Sequence, residues 1–203
     1  MTGLLHKPAQ ARGPGLVLTH GAGGNARAEL LVRVAEAFAD AGWFVLRYDL
    51  PFRQRKPFGP PMPAGAAEDR AGLRLAVGEL KNVAGERVCL GGHSYGGRQA
   101  SMLLAEEPEL ADGLLLLSYP LHPPKKPAQL RTAHFEKLRT PTLFVHGAKD
   151  EFGTAEEMHA ALRLIAGRTA METIEGAGHD LKKGAFDVRE RVVEVFARLI
   201  TPK

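Results

Sequence analysis

Val88-Cys89-Leu90-Gly91-Gly92-His93-Ser94-Tyr95-Gly96-Gly97 is the stretch on which the fold turns. An apolar run short enough for one strand leads into Gly-x-Ser-x-Gly, and a helix-like stretch follows from Gln99 to Glu107. Strand, tight turn and helix in that order are the context of a nucleophile elbow. Such a turn holds its serine in a sparsely populated backbone conformation and exposes Oγ above the sheet. Gly92 and Gly96 are expected to be required because strand and helix approach closely there, leaving no room for a Cβ.

Three further segments support this reading by their order in the chain. Phe144-Val145-His146-Gly147-Ala148-Lys149-Asp150 reads as a buried strand whose following loop carries Asp150. Ala170 to Ile174 reads as a strand, and Glu175-Gly176-Ala177-Gly178-His179 as the loop that presents His179. Serine, then acid, then histidine is the chain order of an α/β-hydrolase triad. Leu16-Val17-Leu18-Thr19-His20 reads as a strand ahead of Gly21-Ala22-Gly23-Gly24, an HG loop of the kind that supplies an oxyanion-hole N–H.

With these residues in view, the chain resembles the α/β-hydrolase superfamily over about residues 13–200. The segments THGAGGN, LRYDLPFR, GGHSYGGR, SYPLHPP and VHGAKDEFG are similar to a small, cap-less bacterial branch related to the hydrolase-like subunit of the nonspecific-lethal histone acetyltransferase complex. A more distant similarity is to dienelactone hydrolases, which use a cysteine where this chain has Ser94. The resemblance implies a minimal α/β-hydrolase fold and a Ser-His-Asp triad.

The rest of the chain agrees with a single domain of 203 residues, without a large cap. Strand-like runs near 15–20, 43–48, 86–91, 112–118, 141–146 and 169–174 alternate with helical patterns near 26–41, 66–82, 96–107, 154–166 and 185–200. This alternation predicts an α/β fold with a mostly parallel sheet of about six or seven strands, helices on both faces, and at most a short edge strand within residues 1–10. Leu50 to Gly65 and Pro120 to Ala128 are proline-rich and basic, and are expected as irregular segments at the strand ends where ligands bind.

Composition narrows the function. Hydrophobic residues make up 44% and charged residues 25%, as in an ordinary globular protein. The net charge of +4 is scattered, and with 6% aromatic residues there are few platforms for stacking bases, so no nucleic-acid partner is expected. Cys89 is the lone cysteine and falls in a buried strand. No secretory leader or membrane span is read, and the cytoplasm is the expected compartment. No histidine or cysteine spacing suggests a metal, and no cofactor is expected.

Chemically, Ser94 is the expected nucleophile, His179 its base and Asp150 the residue that orients the imidazole. The N–H groups of Tyr95 and Ala22 are the expected oxyanion donors, and a small-molecule acyl compound the expected substrate. Asp49 and Asp180 compete with Asp150, but Asp49 suits capping or anchoring the Leu50-Pro51 loop better, and Asp180 adjoins His179 in sequence, so its side chain is expected to point elsewhere. Arg53, in the basic run after Asp49, could clamp a substrate anion, with Tyr119 and His122 on the opposite side. Two other readings stand beside this one. Gly21 to Ala26 also fits G-x-G-x-x-A with Asp49 at the next strand end, as in a dinucleotide-binding oxidoreductase. A hydrolase fold can also serve as a non-catalytic interaction module.

Overall fold

The apolar runs assemble into one seven-stranded sheet in the computed structural model, which describes residues 3–9, 13–183 and 186–201. The strands are β1 (Gly3–His6), β2 (Gly15–Thr19), β3 (Phe44–Tyr48), β4 (Val88–His93), β5 (Leu114–Leu117), β6 (Thr142–Gly147) and β7 (Thr169–Ile174). They lie in the order β1-β3-β2-β4-β5-β6-β7. β1 runs antiparallel to β3 and every other pair is parallel. The central strands are buried on both faces, so their side chains serve two cores in alternation. Leu16 and Leu18 of β2 face one core and Val17 the other; Leu115 and Leu117 of β5 oppose Leu114 and Leu116 in the same way.

Helices close both faces. α1 (Glu29–Asp40) presents Leu31, Val34 and Phe38 to one core. The C-terminal segment joins it, first as a π-helical stretch, Arg189–Glu194, and then as α6 (Val195–Ile200). On the other face α3 (Ala66–Ala84) buries Leu73, Ala76, Val77 and Leu80, and α4 (Ser94–Glu106) buries Ala100, Leu103 and Leu104. α5 (Ala155–Leu162) adds Met158 and Ala161 to that core and starts with a capping box between Thr154 and Glu157.

α5 ends at Leu162, earlier than the pattern suggests, and two further departures have clear physical reasons. α1 starts three residues later than the pattern suggests because its approach is held by other groups: Ala26 N–H donates to Asp49 Oδ1 at 2.7 Å, and Arg47 Nη1 donates to the Ala26 carbonyl at 2.6 Å. The proline-rich stretch after β3 is not wholly irregular. Pro51 occupies the first turn of a short helix, α2 (Pro51–Arg55), where a missing N–H costs nothing.

Register then gathers the chemistry. Thr19 pairs with Tyr48 and with Gly92, so β2 and β3 end level and β4 one residue beyond, and the segments beginning at His20, Asp49 and Ser94 leave one edge side by side. This is the carboxyl edge of an open parallel sheet, the usual place for a ligand. The start of α4 packs tightly against the end of β2. A Cβ on Gly96 would lie 2.4 Å from the His20 carbonyl oxygen and 2.6 Å from Thr19 Cγ2. Both are fixed groups, so Gly96→Ala is expected to cost about 3 kcal/mol in urea unfolding; a loss below about 0.5 kcal/mol would show that the contact relaxes freely.

Candidate active site

Ser94 is the first residue of α4 and sits at φ +50°, a region that favours glycine and strains a serine by about 1–3 kcal/mol. The strain lifts Oγ away from the helix and toward His179, whose Nε2 lies 2.8 Å from it. On the far side of the ring, Nδ1 meets Asp150 Oδ2 at 2.8 Å and Oδ1 at 3.0 Å. Asp150 is buried, and its Oδ1 also accepts the Phe152 N–H at 2.9 Å. A buried carboxylate on Nδ1 fixes the proton there and leaves the Nε2 lone pair for the serine. Ser94, His179 and Asp150 thus form a Ser-His-Asp triad.

Two loops must meet to bring acid and histidine together, and their backbones do this directly. Lys149 N–H donates to the Ala177 carbonyl at 2.8 Å and Ala148 N–H to Ile174 at 3.0 Å. At Gly147, a Cβ would fall 2.4 Å from the Gly178 carbonyl oxygen, which explains a glycine at the end of β6. The Phe152 ring packs on the imidazole with centroids 4.1 Å apart. His93 Nε2–H donates to the His179 carbonyl at 2.9 Å. Burial pushes the His93 pKa down to about 4, so it remains a neutral donor.

The β2–α1 loop forms the facing wall. Leu50 N–H donates to His20 Nε2 at 3.1 Å, which places the His20 proton on Nδ1, and Nδ1–H donates to the Gly21 carbonyl at 2.8 Å. In a trans peptide C=O and N–H point opposite ways, so holding the Gly21 carbonyl also aims the Ala22 N–H. Tyr95 is the second residue of α4, and its N–H is among those that a helix start leaves without an intrahelical partner. Ala22 and Ser94 line the same pocket of about 540 Å³, together with Leu30, Leu31, Phe152 and His179.

Arg53, Tyr119 and His122 differ from expectation, because none of them lines this pocket. α2 turns Arg53 inward, where it is buried and its guanidinium donates to the carbonyls of Ala22 (2.7 Å), Gly24 (2.7 Å), Gly59 (3.0 Å) and Lys56 (3.1 Å). Its donors are spent on the backbone, leaving it a brace for the glycine loop rather than an anion clamp. Tyr119 is core: its ring packs on Phe135 and Phe144, and its hydroxyl donates to the Arg131 carbonyl at 2.6 Å. His122 is buried between the Pro123 carbonyl and the Glu157 carboxylate. The competing acids are also engaged elsewhere, Asp49 with Ala26 N–H and Asp180 with Lys182 N–H. Replacing Arg53 by Met is expected to lower kcat on p-nitrophenyl acetate by roughly tenfold to a hundredfold with KM nearly unchanged, because the loop loses its aim and the pocket keeps its walls. An unchanged kcat would show that Arg53 does not hold the loop in its working position.

Sequence reasoning missed Asp69 and Phe152. Asp69 is fully buried on α3; its Oδ1 accepts the Phe52 N–H at 3.0 Å and its Oδ2 the Tyr95 hydroxyl at 2.7 Å. It ties α2 and α4 together beneath the site. Its signal was an aspartate in line with Leu73, Ala76, Val77 and Leu80 on an apolar helix face.

An elbow serine at a parallel sheet's carboxyl edge, with a histidine and a buried acid delivered by the loops after β7 and β6, defines an α/β-hydrolase site. The chain belongs to the alpha/beta hydrolase domain family, which it matches over residues 12–193. Solved structures agree in fold. Est1E from Butyrivibrio proteoclasticus, in a structure with bound ferulic acid, superposes with a TM-score of 0.78 at 18% identity, covering 98% of this chain and 95% of that one. TT1662 from Thermus thermophilus gives 0.76 at 22% identity, over 99% and 94%. A dienelactone hydrolase from Anabaena variabilis gives 0.72 at 20% identity, over 98% and 88%.

Proposed function

We propose that this protein is a serine hydrolase that cleaves small ester, thioester or related acyl bonds through an acyl-enzyme. The observation that carries this is the unbroken line from Asp150 through His179 to Ser94 Oγ at hydrogen-bond distances. Ser94 Oγ attacks the carbonyl carbon as its proton passes to His179 Nε2. The carbonyl oxygen becomes an oxyanion, held by the N–H groups of Tyr95 and Ala22 and favoured by the positive end of α4. When the tetrahedral centre collapses, the bond to the leaving group breaks and that group takes the proton from Nε2. Water then attacks the Ser94 ester by the same steps, releasing the acid and restoring the hydroxyl.

Small acyl groups suit the walls, which are apolar at Leu30, Leu31 and Phe152. The likeness to Est1E, with its bound ferulic acid, and to a dienelactone hydrolase supports that substrate class. We read the chain as one domain without a large cap, in the branch similar to the nonspecific-lethal complex subunit, acting in the cytoplasm without a cofactor. A non-catalytic scaffold would not need a strained serine held against a charge-oriented imidazole. The dinucleotide alternative loses its acid to the loop, since Asp49 already accepts the Ala26 N–H, and Glu29 in the first turn of α1 disfavours a phosphate there. The test is turnover of p-nitrophenyl acetate, p-nitrophenyl butyrate and an acetyl thioester by the purified protein. Release of the leaving group above the buffer rate, fastest with short chains, is expected; no release from any of the three would overturn the proposal.

A further inference from the structure

A second cavity, of about 300 Å³, opens between α4 and the segment 130–137 and shares no lining residue with the Ser94 pocket. Its floor is one face of α4, where Arg98, Met102, Ala105 and Glu106 follow at helical spacing. Arg131, His134 and Lys137 complete it from above, with Leu130 at the rim.

The electrostatics of this cavity are incomplete. Arg98 Nε is buried without a hydrogen-bond partner. Among the described residues no carboxylate lies within ion-pairing distance of Arg98 or Arg131; Glu106, the one acid in the lining, is directed at Arg70, 3.9 Å away. Arg131 spends one nitrogen on the Pro120 carbonyl at 3.2 Å. Burial, and then the neighbouring charge of Arg98, which lines the same cavity, lower its pKa. His134 adds no charge: burial and Arg98 push its pKa down to about 4, and its Nε2 meets Ser101 Oγ at 2.8 Å. Partly desolvated, unpaired cations are costly, and a ligand oxyanion would relieve that cost with charge-assisted hydrogen bonds. The remaining lining is apolar, from Met102, Ala105 and Leu130, the last 53% exposed.

We propose that this cavity binds a small amphiphilic oxyanion, a carboxylate or phosphate monoester on a short apolar chain, at a site separate from Ser94. The head group lies between Arg98 and Arg131 with Lys137 at the mouth, and the chain lies along Met102 and Leu130. The proposal is independent of the hydrolase reading, because it is tested by binding alone.

The experiment is calorimetric titration of the whole protein with hexyl phosphate. Saturable one-to-one binding that weakens with added salt is expected, with inorganic phosphate weaker because it lacks the chain. Arg98→Gln and Arg131→Gln should each weaken it by about tenfold or more. Leu130→Asp and Lys137→Gln alter exposed positions, so they test the site without risk to the fold, and both should weaken binding. Lys182→Glu, at the rim of the Ser94 pocket, should leave it unchanged. Absence of saturable heat up to about 10 mM, affinity indifferent to Arg131→Gln and Leu130→Asp, or binding lost in Lys182→Glu would each overturn the proposal.

Discussion

Ser94→Ala is expected to lower kcat on p-nitrophenyl acetate by roughly 10⁵-fold, with KM little changed and the protein folded as before. The side chain is small, and its loss removes one hydrogen bond, the 2.8 Å contact with His179 Nε2. The change also replaces one residue at φ +50° by another that tolerates it no better, so no stability gain should appear. What disappears is the covalent route: without Oγ no acyl-enzyme forms, and any remaining rate reflects water acting in a pocket that still holds its N–H donors. A loss smaller than about tenfold would mean that hydrolysis runs through another group.

Asp150→Asn should be nearly as damaging, at roughly 10⁴-fold in kcat, for a different reason. The carboxylate accepts from His179 Nδ1 and from Phe152 N–H, so it determines which imidazole nitrogen carries the proton. An asparagine can offer Nδ1 an N–H instead. The proton then moves to Nε2, and the nitrogen facing Ser94 can no longer accept one. Since both residues act in one step, the double variant Ser94→Ala/Asp150→Asn is expected to be no slower than Ser94→Ala alone. Additive losses would show that the two act independently, against a triad.

The parts of this site that were legible in the sequence are those whose chemistry is local. Gly92 and Gly96 mark the elbow because a Cβ at either would strike backbone within van der Waals contact, a constraint that any sequence with this turn must satisfy. The strands were visible because a doubly covered parallel sheet demands continuous apolar runs, as in Leu114–Leu117. Asp150 could be preferred over Asp49 and Asp180 from its loop position, and the hydrogen bonds agree. Side-chain direction was not legible. Arg53, Tyr119 and His122 follow strand ends that do border the site, yet one is turned inward by a five-residue helix and the others by packing against Phe135, Phe144 and Glu157. Those turns depend on contacts far away in the chain, which periodicity does not encode. For Asp69 the place on the apolar face of α3 was legible, but its partners were not: Phe52 and Tyr95 meet it only once α2, α3 and α4 have packed.

The most direct measurement is intact-mass detection of fluorophosphonate labelling, wild type beside Ser94→Ala. The reagent phosphonylates a serine only where a base takes its proton and donors hold the forming oxyanion, so it reads activation without knowledge of the substrate. One adduct is expected on the wild type and none on Ser94→Ala. An unlabelled wild type, or equal labelling of both proteins, would contradict Ser94 as the activated nucleophile.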